Sequence, residues 1–163
     1  MDEKKSIKDY WPLIVLLLVT FLAATALTYG QKKSSYQGMH FFMGLFFCIF
    51  AMFKLFNLAG FVTGFRLYDL LAKKVAAYGY FYPFIELALG LAYLSFICPI
   101  LTYSITVILM VLGSIGVIQS LKNGLDTRCV CMGTVLNVPL STVTLIEDVG
   151  MGVMAFIMLM AFF

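Results

Sequence analysis

The sequence predicts an all-α fold, a polytopic bundle of transmembrane helices. Three observations carry that expectation. Of 163 residues, 63% are hydrophobic and only 12% are charged, about half the charge of a soluble domain. The apolar residues fall into five runs of spanning length, and most of the charges lie between the runs. A soluble chain of this length has no core able to hide so much apolar surface, whereas lipid accepts it.

A spanning helix needs roughly 20 apolar residues at about 1.5 Å each. The first run, Trp11 to Tyr29, follows a polar start. Lysines, an apolar stretch and Ala24-Thr25-Ala26 give it some likeness to a signal peptide. Its length exceeds the roughly 7–15 residues of a signal core, which favours an uncleaved anchor. The second run extends from about Met39 to Phe61 and contains Lys54 and Asn57. The third extends from about Tyr80 to Cys98 and contains Glu86. The fourth follows Pro99 and ends near Leu121. The fifth starts between Ser141 and Leu145 and reaches Phe163. Between the second and third, Leu67, Leu70, Leu71, Val75 and Tyr78 recur at helical spacing, with Arg66, Asp69, Lys73 and Lys74 elsewhere. Arg66 to Gly79 thus reads as an amphipathic helix on the inner leaflet.

Positive charge orients the chain. With the N-terminus cytoplasmic, Lys4, Lys5, Lys8, Arg66, Lys73, Lys74, Lys122 and Arg128 lie inside, and only Lys32 and Lys33 lie outside. That bias satisfies the positive-inside rule and leaves the C-terminus outside; the expected membrane is a bacterial cytoplasmic (inner) one. The net charge of +3 forms no basic stripe, so nucleic acid is not an expected partner.

Ionisable residues within spans are costly and are usually paired or functional. Counted from the span ends, Lys54, Glu86, Glu147 and Asp148 share one layer, about 10 Å inside the cytoplasmic boundary. The matched depth predicts a Lys54–Glu86 contact, with Glu147 or Asp148 joining it. Asn57, three residues after Lys54, shares its helix face and its hydrogen bonds. The structural alternatives are that Lys54 snorkels, that Thr144-Leu145-Ile146-Glu147 is a capping box, and that Asp148 complements the helix dipole. Gly90 and Tyr93 continue the Glu86 face, while Gly113, Gly116, Gly150 and Gly152 read as places of close helix approach.

Cys129-Val130-Cys131-Met132-Gly133 follows the fourth run. Two thiols one residue apart suit thiol–disulfide exchange through a strained disulfide. They also suit a soft ion such as Cu(I) or Hg(II), with Met132 as a further sulfur ligand, or they are an unreactive pair. Arg128 favours the thiolate. The topology places the pair in the reducing cytoplasm, against a permanent disulfide. Cys48 reads as filler, and Cys98 falls at the outer boundary. Met151, Met154 and Met158 share a helix face, either as packing or as a thioether ladder. His40, the single histidine, sits at a helix start and offers poor support for histidine catalysis.

Taken together, Lys54-Leu55, Tyr68-Asp69, Tyr82-Pro83-Phe84-Ile85-Glu86-Leu87-Ala88-Leu89-Gly90, Cys129-Val130-Cys131-Met132-Gly133, Pro139 and Glu147-Asp148 resemble the DoxX/MauE-type redox-associated membrane proteins. The likeness covers roughly Met39 to Phe163. It implies a four-helix membrane domain over 39–163. Residues 1–38, a cytoplasmic tail and an extra first helix, bring the spans to five. It also implies a thiol-redox role exchanging electrons with a partner thiol protein, such as support of disulfide formation. Relatives are associated with methylamine dehydrogenase maturation, and others resemble companions of heavy-metal handling proteins, so a metal-carrier protein is the alternative partner. A disulfide donor for exported proteins should present its cysteines outside, whereas the charges place Cys129 and Cys131 inside. Electrons then cross the membrane, or the first helix inverts the topology, or the role is metal handling, or the chain is a non-enzymatic accessory subunit.

Overall fold

A computed structural model of the chain describes residues 7–30, 35–122 and 140–162, which form seven α-helices and no strand. They are α1 (Ile7–Gly30), α2 (Ser35–Phe56), α3 (Leu58–Tyr68), α4 (Leu70–Lys74), α5 (Ala76–Ser95), α6 (Pro99–Lys122) and α7 (Leu140–Met160). The expected all-α class is observed. Three of these helices are long and apolar enough to cross a membrane, with spans at Leu13–Gly30 in α1, Tyr36–Phe56 in α2 and Pro99–Ser120 in α6.

The bundle is built from two antiparallel pairs, α2 with α5 and α6 with α7, while α1 packs along the outside of α2. Side chains facing outward are apolar, including Leu22 on α1, Phe84 and Leu91 on α5, Ile108 on α6 and Phe156 on α7. Such a surface suits lipid rather than water. Hydroxyls within the apolar helices turn back onto their own backbones: Thr20 donates to the Leu16 carbonyl and Thr28 to that of Ala24, each within 2.8 Å. These hydroxyls are thereby not offered to hydrocarbon.

The α2–α5 pairing depends on two glycines. A Cβ on Gly90 would stand 2.7 Å from Cys48 Sγ and 3.0 Å from the Gly44 carbonyl oxygen, and one on Gly44 would stand 2.9 Å from the Gly90 carbonyl oxygen. The backbones cross where neither helix has a side chain. Gly152 serves the α6–α7 pair more loosely, its Cβ position lying 3.2 Å from Met110 Cβ. Gly150 does not belong to this set, since nothing lies within 4 Å of its Cβ position.

Several boundaries differ from the sequence reading. The second apolar run is not one helix to Phe61: α2 stops at Phe56 and Asn57, at φ −137°, caps α3 by accepting from the Gly60 amide at 3.1 Å. Hydropathy continues through this point, but the Asn side chain competes for backbone donors and favours a fresh N-terminus. The amphipathic helix expected over Arg66–Gly79 is likewise divided. Asp69 ends α3, starts α4, and accepts from the Leu71 and Ala72 amides at 2.9 and 2.8 Å. Asp69 is buried at 2% exposure, so it does not belong to a solvated polar face. Leu67, Leu71 and Val75 remain exposed. Finally, α7 begins at Leu140, which leaves Glu147 and Asp148 inside the helix and its first turn without an acidic residue. Neither the capping-box nor the dipole alternative for this pair applies.

Candidate functional site

The last turn of α2, the middle of α5 and the first half of α7 carry charges into the bundle. Lys54 Nζ lies 2.5 Å from both Glu86 Oε1 and Glu86 Oε2. The two side chains are only 4% and 6% exposed. Lys54 reaches this position two residues before α2 ends, whereas Glu86 lies ten residues beyond the first residue of α5. The α3 helix turns back over them. Its Phe61 and Phe65 rings stack on each other at 4.9 Å and lie 6.0 and 4.6 Å from Tyr82. The ammonium sits 5.5 Å from the Phe61 centroid and 5.0 Å from that of Tyr82. Bidentate pairing and two aromatic faces offset the desolvation of the buried charges.

The pair borders a cavity of about 30 Å³ that is also lined by Gly113, Glu147, Asp148 and Met151. That exceeds the roughly 10–15 Å³ a cavity needs to hold one water. Gly113 matters here: a Cβ on it would stand 2.8 Å from Asp148 Oδ2, so the missing side chain makes room for a carboxylate. Of the residues proposed from sequence, Lys54, Glu86, Glu147 and Asp148 therefore share one cavity. Asn57 does not join them, because its side-chain oxygen is committed to the α3 cap.

Cys129, Cys131 and Met132, with Arg128 and Pro139, lie outside the described residues. Their connection leaves α6 after Lys122 and returns at Leu140. Gly113 and Asp148 touch nine residues before the end of α6 and eight after the start of α7. At about 1.5 Å per residue, both attachment points stand roughly 12–14 Å beyond the carboxylates, at the same end of the bundle. Cys48 and Cys98 are free thiols, Cys98 exposed and Cys48 half-buried against Gly90. Met151 and Met158 belong to the buried core, at 4% and 0% exposure.

A second polar cluster escaped the sequence reading. His40 lies five residues inside α2, not at its start, and is 2% exposed. Its Nε2 is 2.5 Å from the Tyr103 hydroxyl, which is 2.9 Å from the Tyr36 hydroxyl. The one local signal was Tyr36 and His40 at i and i+4 on a helix face.

The family described as Methylamine utilisation protein MauE matches residues 32–161, from just before α2 to just after α7. No curated protein and no solved structure matches the chain. The match contains both polar clusters and the two-cysteine connection, and it leaves α1 outside. Matched over most of its length, this helical membrane chain belongs to the MauE family.

Proposed function

We propose that the protein is a membrane thiol-redox protein whose Cys129 and Cys131 exchange electrons with a partner thiol protein. The observation that supports this is positional. The two helix ends that flank the Cys129-Val130-Cys131 segment in sequence, Lys122 and Leu140, lie at the same end of the bundle, beyond the cavity where Lys54, Glu86, Glu147 and Asp148 converge. The buried ion pair holds α2 to α5, and the Gly113–Asp148 contact holds α6 to α7. Helix ends braced in this way suit reversible docking of a partner by the cysteine-bearing segment between them.

In the exchange, one thiolate attacks the partner disulfide, forms a mixed disulfide and releases a partner thiolate, which takes a proton. The second thiolate attacks the mixed disulfide and releases the other partner sulfur. Two electrons pass from the dithiol to the partner, and the reverse sequence oxidises a partner dithiol. A three-residue disulfide ring is strained, which makes it a ready electron acceptor. The family name refers to methylamine utilisation, and in that setting the exchange would serve a disulfide-bearing partner.

The reading includes five membrane crossings, with α5 and α7 joining α1, α2 and α6. The outward Phe81, Phe84 and Leu91 of α5, and Val149, Val153 and Phe156 of α7, support this. The bias of positive charge supports a cytoplasmic N-terminus. Cys131→Ser tests the function by trapping. The variant should accumulate a mixed disulfide through Cys129 that reductant dissolves and Cys129→Ser abolishes. Full cellular activity of the double-cysteine variant sinks the proposal.

A further inference from the structure

We propose that His40 is a proton-binding site loaded through Tyr36 and Tyr103, at the end of the bundle opposite the α6–α7 connection. His40 precedes Lys54 by fourteen residues of α2, about 21 Å of helix. It is therefore a site of its own, and it stands whether or not the thiol reading holds.

Valence fixes the direction of each hydrogen bond. His40 Nδ1 lies 3.3 Å from the Tyr93 carbonyl oxygen, which only accepts, so Nδ1 carries the ring hydrogen. Nε2 then holds a lone pair, and the Tyr103 hydroxyl, 2.5 Å away, donates to it. With its hydrogen committed, Tyr103 accepts from Tyr36 at 2.9 Å. The resting chain therefore runs from Tyr36 to Tyr103 to neutral His40.

The same atoms can hold one more proton. A proton entering at the Tyr36 oxygen lets Tyr36 pass its own hydrogen to Tyr103, and Tyr103 passes its own to Nε2. One proton is taken up, one imidazolium forms, and no other covalent bond changes. Every hydrogen bond in the chain then reverses. Nε2–H donates to Tyr103, Tyr103 to Tyr36, and Tyr36 to the Met158 carbonyl oxygen, 3.3 Å away. That carbonyl is open to Tyr36 because the Phe162 amide donates to the Leu159 carbonyl at 3.2 Å rather than to that of Met158. A bond serving only to fix the ring needs one arrangement; this chain ends on an acceptor in both.

The surroundings suit a cation held out of water. His40 is 2% exposed and Tyr93 and Tyr103 are 0% exposed, while Tyr36 is half-buried and forms the mouth of the path. The Phe96 ring lies 4.4 Å from the imidazole, and the rings of Tyr36, Tyr93 and Tyr103 lie 5.4–5.7 Å from it. Aromatic faces stabilise a desolvated cation. The titratable side chains facing the ring are Tyr36 from α2, Tyr93 from α5 and Tyr103 from α6; α7 contributes the Met158 carbonyl through Tyr36.

The chain holds one histidine, so ¹⁵N-histidine labelling of the full protein in lipid nanodiscs reports this residue alone. At alkaline pH the spectrum should show hydrogen on Nδ1 and a bare, hydrogen-bonded Nε2. Acidification should protonate Nε2 while the fold persists. Tyr103→Phe should lower the proton affinity about tenfold, the scale of one hydrogen bond to a charged group. Tyr36→Phe keeps the Tyr103–His40 contact and should lower it in the same direction, by less. An Nε2–H tautomer, a ring that stays neutral wherever the protein is folded, or a midpoint unmoved in Tyr36→Phe overturns the proposal. That last result counts even where Tyr103→Phe does not fold.

Discussion

Lys54 of α2 meets Glu86 of α5 with both carboxylate oxygens 2.5 Å from its ammonium, sealed under the Phe61 and Tyr82 rings. A pair this buried is costly to break from one side, because the survivor remains charged in an apolar site. Lys54→Met should therefore destabilise the protein by about 3–5 kcal/mol. Adding Glu86→Gln should restore a large part of the loss. Denaturation of the two variants in mixed micelles measures the difference; additive losses would mean the two charges are energetically independent.

The glycine contacts predict a contrast between two chemically identical changes. Gly90→Ala places a methyl 2.7 Å from Cys48 Sγ and 2.9 Å from the Cys48 backbone nitrogen, and backbone cannot yield. It should cost about 1–3 kcal/mol through overpacking. Gly150→Ala meets nothing within 4 Å and should be neutral or stabilising by up to about 1 kcal/mol, from helix propensity. Thermal unfolding of both variants decides it, and equal shifts would contradict the close α2–α5 crossing.

The fold was legible where the physics is local, and the site only in part. Composition and run length are enough for a helical membrane chain. The Lys54–Glu86 pairing is legible from matched depth, although the assumed helix ends were wrong. The sequence reading counts Lys54 from Phe61, whereas α2 ends at Phe56, and Glu86 from Tyr80, whereas α5 begins at Ala76. The pairing tolerates those shifts because a charge finds its partner wherever the bundle buries it. The breaks at Asn57 and Asp69 depend on single caps that hydropathy averages away. The His40 cluster joins residues 40, 93 and 103 across three helices. Beyond the i, i+4 spacing of Tyr36 and His40, hydrogen bonds between aromatic hydroxyls and a ring nitrogen leave no spacing to read.

Asp69 gives a pH signature. Burial pushes its carboxyl above the ordinary carboxylate value, opposed by the Ala72 and Leu71 amides and the Lys73 charge. In the window above the ordinary value the folded state binds more protons than the unfolded one, so this residue's contribution to stability falls as pH rises. Asp69→Asn retains the oxygen that accepts both cap bonds and removes the titration. Its stability relative to the parent should therefore increase from about pH 4 to pH 7. Asp69→Ala, by comparison, should lose about 0.5–2 kcal/mol for the missing cap. A parent-to-Asn difference that is flat or falling with pH would contradict the buried placement of Asp69.

The placement of the thiols can be decided without knowing the partner. Exposed Cys98 directly precedes α6, and Cys129 and Cys131 follow its last residue, Lys122. The apolar span of α6, Pro99–Ser120, covers 22 residues, about 33 Å of helix, the thickness of a hydrocarbon core. A thiol at one end of such a helix cannot share a compartment with thiols beyond the other. A membrane-impermeant maleimide should therefore label Cys98 from one face of sealed vesicles and the Cys129–Cys131 pair from the other only. Inverting the vesicles should exchange the two results, read by mass on single-cysteine variants. Labelling of all three from one face would mean that α6 does not cross, and the α6–α7 pair would have to lie along the membrane instead.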